Sequence, residues 1–202
     1  MESVHAVRSM HRRLRCFLTT LCLLLAAPKS LADSRYLVAP DDPGAVYLTP
    51  ARFAVRADGV HDDTHALQTA IDRAATDRTG GLVFVPSGTY LLTDTVNVWP
   101  GVRIIGYGPD RPVFRLAPST PGFVNGEDRY MLFFSGGRGA NPGDPPRDGS
   151  PGTFYSGMSN VDVEIGAGNH AAVAVRFHVA QHCSLSHMRI DLADARAGLA
   201  DI

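Results

Sequence analysis

The chain has 202 residues, with 19 Lys or Arg against 20 Asp or Glu, and 45% of its residues are hydrophobic. That length allows one sizeable core, and no basic stripe marks a nucleic-acid or anionic-membrane partner. Residues 1–32 have the parts of an export signal: Arg8, Arg12, Arg13 and Arg15, an apolar run at 16–27, and Ser30-Leu31-Ala32 as a small-x-small cleavage site. The apolar run is shorter than the about 20 residues a bilayer span needs, so cleavage is expected over anchoring. Cleavage would remove five basic residues, Glu2, Cys16 and Cys22, leaving 14 basic against 19 acidic residues and the single Cys183. The expected product is secreted, extracellular or periplasmic, with no intrachain disulfide and no membrane attachment. Cys183 reads as a small buried hydrophobe.

Residues 33–54 mix Pro, Gly and Asp with short apolar pieces and read as a lead-in. Asp58-Gly59 is a turn signal. Asp62, Asp63 and Thr64 are N-cap residue types, and Ala66/Leu67, Ala70/Ile71 and Ala74/Ala75 recur every three to four positions. The spacing predicts a helix over 63–78 with one buried stripe, stopped by Thr79-Gly80-Gly81. Helix capping accounts for the aspartates before any chemistry does.

From Leu82 the period becomes strand-like. Short apolar runs at 82–85, 89–92, 95–98, 102–106, 113–116 and 130–134 are punctuated by Gly or Pro, which predicts an all-β body. Residues 135–153 hold six Gly and four Pro and are expected to form a long loop, either a wall over a groove or disordered. Runs at 161–165, 172–177 and 188–192 follow. Val161, Val163, Glu164 and Ile165 align with Met188, Ile190, Asp191 and Leu192 at an offset of 27 residues. Such a repeat suits a stacked β-solenoid whose open first coil needs a plug, and the lone helix supplies one.

The stretches ADGVHDDTHALQTAIDRA and GGLVFVPSGTYLLTDTVNVWPGVRIIGYG resemble the N-terminal signature of the pectate lyase superfamily, in the branch of rhamnogalacturonase/epimerase-like and β-1,3-glucanase-like proteins. Residues 154–192 resemble later coils of such proteins. The resemblance implies a right-handed parallel β-helix with an N-terminal capping helix over 55–202, truncated at its C-terminus. It also implies a polysaccharide substrate, glycoside hydrolase favoured over polysaccharide lyase, with calcium as cofactor if a lyase. Catalytic residues in these families generally lie on later coils, so the chain alone is expected to be inactive. A non-catalytic glycan-binding or surface-structural solenoid is the alternative.

Glycoside hydrolysis generally needs two carboxyl groups flanking the bond, and uronate lyase chemistry a cation and a base. Asp162 and Glu164 point the same way on a strand, and the 27-residue offset stacks Arg189 and Asp191 beside them. These four residues are the candidate substrate-binding row, against the plainer reading of a solvated face. Trp99, Tyr90 and Tyr107 are candidates for stacking on sugar or for filling core. His170, His178, His182 and His187 read as coil-turn residues rather than metal ligands.

Overall fold

The computed structural model describes residues 33–76, 81–149 and 152–202; the expected export segment and Thr79-Gly80 of the helix stop lie outside these. The strands form three parallel sheets, visited in turn by successive coils. The first sheet contains β1 (Val46–Tyr47), β3 (Leu82–Pro86), β6 (Arg103–Tyr107), β9 (Gly157–Ser159) and β12 (Ser184–Ser186). In the second are β2 (Asp58–Asp62), β4 (Thr89–Leu92), β7 (Val113–Leu116), β10 (Asp162–Ile165) and β13 (Ile190–Asp191). The third holds β5 (Val96–Val98), β8 (Arg129–Phe134), β11 (Ala172–Arg176) and β14 (Ala197–Ala200). This is the right-handed parallel β-helix that the resemblance implies. Val163 pairs with Ile190 and Glu164 with Asp191, so the 27-residue offset read in the sequence is the true register there. The offset is not fixed along the stack: Val83 pairs with Ile104 and Thr89 with Val113.

Alternation along each strand sends one set of side chains into the coil interior. Val83, Val85, Tyr90, Leu92, Ile104, Phe114, Leu116 and Phe134 are fully buried there. Tyr90 and Phe114 are register partners and meet edge to face at 5.8 Å, while the Tyr90 hydroxyl donates to the Pro86 carbonyl at 2.8 Å. A buried phenol thus keeps its hydrogen bond, and burial pushes its pKa well above the ordinary value.

The helix α1 (Thr64–Thr76) buries Ala66, Leu67, Ala70, Ile71 and Ala74. It follows β1 and β2 in the chain and stands where the third sheet has no strand in that coil. The open edge of β5 is met by one side chain: Gln68 Oε1 accepts from the Asn97 amide at 2.8 Å and Gln68 Nε2 donates to the Asn97 carbonyl at 3.1 Å. The cap therefore covers the apolar interior with its alanine and leucine stripe and satisfies the strand edge with a glutamine.

Two local readings differ from the structure. Residues 58–62 are a strand rather than a simple turn, with a register shift between Asp58 and Asp62. Gly59 has φ +74°, and Asp58 Oδ1 accepts from the amides of Val60 and His61, so a turn is embedded in the strand as a bulge. In addition, β1 within the lead-in already pairs with β3.

Candidate functional site

Outward residues of the third sheet, the helix and the long loop enclose two adjoining clefts. One, of about 480 Å³, lies between helix and turn and is lined by Asp62, His65, Gln68, Asp72, Thr93 and Asp94 among others. The other, of about 570 Å³, lies under residues 139–146 of the loop. Asn97, Trp99 and Arg138 line both. Alternation in Val96-Asn97-Val98 buries the two valines and turns Asn97 outward, and the i, i+4 spacing of Gln68 and Asp72 places both on the helix face toward it.

The helix start is tied to the turn after β4. Asp62 Oδ1 accepts from the Thr64 amide at 2.9 Å, Asp62 Oδ2 from the Thr93 hydroxyl at 2.7 Å, and Thr64 Oγ1 from the Thr93 amide at 2.9 Å. Burial pushes the Asp62 pKa up, but the hydrogen bonds from Thr64 and Thr93 outweigh it and leave the carboxyl below its ordinary value. Asp63, fully buried, accepts from the amides of Arg56 and Ala57, both at 2.8 Å, while its carbonyl receives the first helical bond from Leu67. Its side chain thus secures the segment leading into β2 rather than the helix's own amides.

The long loop forms a wall. Its neck is closed by backbone bonds from Gly136 to the Arg147 carbonyl and from Arg147 to the Gly137 carbonyl, both 2.9 Å. Beyond it, Tyr130 and Phe133 stack at 5.8 Å, and Arg176 lies over both rings. Arg176 bonds Asp148 and Asp201, each at 2.7 Å, and His178 Nδ1 is 2.9 Å from Asp148. The hydrogen bond from Arg176 is the largest cause of an Asp148 pKa well below the ordinary range.

The sequence-derived row lies elsewhere, on the second sheet: Asp162 and Glu164 on β10, Asp191 on β13, and Arg189 in the segment leading into β13. The fold does bring Glu164 beside Asp191, but each carboxylate has an arginine. Glu164 takes two bonds from Arg115, at 2.9 and 3.2 Å, and Arg189, just before β13, reaches Asp191 at 2.7 Å. Asp162 is buried at 8% exposure, 2.9 Å from Arg111 Nε and bonded by the Arg189 amide. The Arg111 contact is off the hydrogen-bonding line, so it is ionic in character. Tyr90 fills core, and Trp99, buried in the same core cluster at 7% exposure, meets the clefts only at its edge. His170, His178, His182 and His187 lie between strands and face different neighbours.

The family described as Rhamnogalacturonase A/epimerase, pectate lyase-like, matches residues 51–200. The chain belongs to this family. A probable glucan endo-1,3-beta-glucosidase of Arthroderma benhamiae is 25% identical over 191 residues, covering 82% of this chain and 20% of that protein. Plasmin and fibronectin-binding protein A of Streptococcus pneumoniae is 54% identical over 49 residues, 24% of this chain and 7% of that one. The ORF18 structure of Geobacillus virus E2 covers 75% of this chain and 26% of its own, at 24% identity and TM-score 0.46. The chain thus spans a fifth or less of the length of these two curated relatives.

Within this pectate lyase-like chain, the described residues contain no group of three or more His, Cys, Asp or Glu placed to hold a metal ion. They do not build the carboxylate cradle that calcium takes. Among the described residues no helix is long and apolar enough to cross a membrane. Sequence reasoning missed Asn97, Arg138, Asp148 and Arg176. The alternation around Asn97 was a usable signal, but the loop residues reach the groove only through the fold.

Proposed function

We propose that this chain is the capped end of an exported carbohydrate-active β-helix protein that binds and degrades polysaccharide, as a glycoside hydrolase in preference to a polysaccharide lyase. The observation that carries the reading is the pair of adjoining clefts, walled by helix and loop and floored by the only tryptophan of the sequence. An open trough lined by amides and carboxylates offers hydroxyl partners to a sugar chain, with the indole lying beneath Arg138 at its floor. The family and the glucanase relative support a polysaccharide ligand, and that relative's greater length supports further coils carrying the catalytic groups.

A second reading, a non-catalytic glycan-binding or surface solenoid, is favoured by one feature. Asp148, Asp201, Asp162, Glu164 and Asp191 all face arginines, so none forms a poised acid–base pair in the described coils. Affinity electrophoresis against neutral glucans and polyuronides tests binding, and sugar release tests turnover. Retardation with release by a longer form of the protein supports the hydrolase. Retardation alone, in that longer form, supports the second reading; passage through every gel unretarded overturns both.

A further inference from the structure

Trp99 is pinned at its edge and covered on its face. Nε1 donates to Asp72 Oδ1 at 2.5 Å, and the Arg138 guanidinium lies 4.5 Å from the ring centre while its Nη2 reaches the same carboxylate at 2.9 Å. Trp99 is only 7% exposed, whereas the Arg138 side chain is 54% exposed. Solvent therefore meets the arginine and not the indole. Because Arg138 lines both clefts, its departure from the ring would join them across an indole face.

The contacts that hold Arg138 are weak ones, a cation–π contact and an ion pair that are both solvent-accessible. The closed neck of the loop lets the side chain swing without moving the wall. We propose that the Trp99 face is a sugar-stacking subsite gated by Arg138, and that it takes a neutral hexose unit rather than a uronate or sulfated one. This deepens the polysaccharide-binding reading and rests on it. The apolar C–H face of a hexose matches the indole, and its hydroxyls suit the amide of Asn97 and the carboxylate of Asp72. The charge of the trough sets the class. Asp62, Asp72, Asp94 and Asp144 line the clefts, with Arg138 the one guanidinium lining them among the described residues. Arg129 offsets Asp94 from outside, and the remaining carboxylates repel a polyanion.

The single tryptophan makes the test direct. The full chain is titrated with a neutral β-1,3-glucan hexasaccharide and with hexagalacturonate, following Trp99 emission and, in parallel, heat of binding. A saturable emission change with the neutral sugar alone is expected, and Arg138→Ala is expected to bind it roughly three- to ten-fold more tightly. Equal or weaker binding by Arg138→Ala overturns the gate, and an equal or stronger response to hexagalacturonate overturns the neutral class. Heat without an emission change overturns the subsite while leaving glycan binding intact. Absence of heat with either sugar and with the wider glycan panel overturns the polysaccharide reading itself.

Discussion

Asp63 and Gln68 show how single side chains satisfy backbone groups that a coil stack leaves open. The Asp63 carboxylate is the partner of two amides next to the core, so Asp63→Ala strands both and is expected to cost about 2–4 kcal/mol, read in chemical denaturation. Gln68→Ala removes both bonds to Asn97 but leaves a strand edge near solvent, and a loss of about 1–2 kcal/mol is expected. The carboxyls of Asp62 and Asp148 lie below their ordinary value of 3.8, the first through Thr64 and Thr93 overcoming burial, the second chiefly through Arg176. A lowered folded-state pKa means that their stabilisation is complete above that ordinary value and is lost as pH falls through the lowered ones. The melting temperature should therefore decline with acidification below about pH 4, and Asp62→Asn should flatten the decline.

At the scale of elements, the helix and the loop flank the same strand. The helix belongs to the stack because it stands in for a missing strand of the third sheet, presenting small side chains inward and Gln68 at the edge. The loop is held at its neck and, beyond it, by Arg138, which crosses to Asp72 of the helix and to Trp99. Replacing residues 138–146 by a short Gly-Ser link should leave the circular dichroism spectrum unchanged and shift Trp99 emission to the red as its ring meets water. A lost β spectrum would show that the loop supports the coils. Polar turn residues between runs were visible in the sequence, but nothing in Arg138 announced that it would cross to a tryptophan 39 positions earlier.

Over the whole molecule, stability comes from inward rows that run from coil to coil. Tyr90 and Phe114 belong to one such row, and Phe114→Ala opens a cavity expected to cost about 3–5 kcal/mol in equilibrium unfolding. Outward rows differ by sheet: the second carries matched Arg and acidic residues, while the third carries Asn97, Phe133 and Arg176 in register. Coil interiors and groove are thus two products of one alternation. The same strands that hold the core together set the outward rows at about 4.8 Å spacing, a row on which a polymer can lie.

The sequence by itself determined the coil class and the cap, because inward alternation and helical spacing are written in neighbouring residues, and one local 27-residue register, because there the apolar pattern repeats. Of the aspartates read as helix caps, Asp62 accepts from the Thr64 amide, whereas Asp63 holds the amides of Arg56 and Ala57, a partnership its position before the apolar pattern did not announce. Only the tertiary structure decided which outward polar residues face a groove. Asp162, Glu164, Arg189 and Asp191 share the alternation of Asn97, yet they neutralise one another or nearby arginines on a different sheet. Charge pairing and cleft formation depend on which coils and loops come together across tens of residues, and alternation within a strand carries no information about that distance.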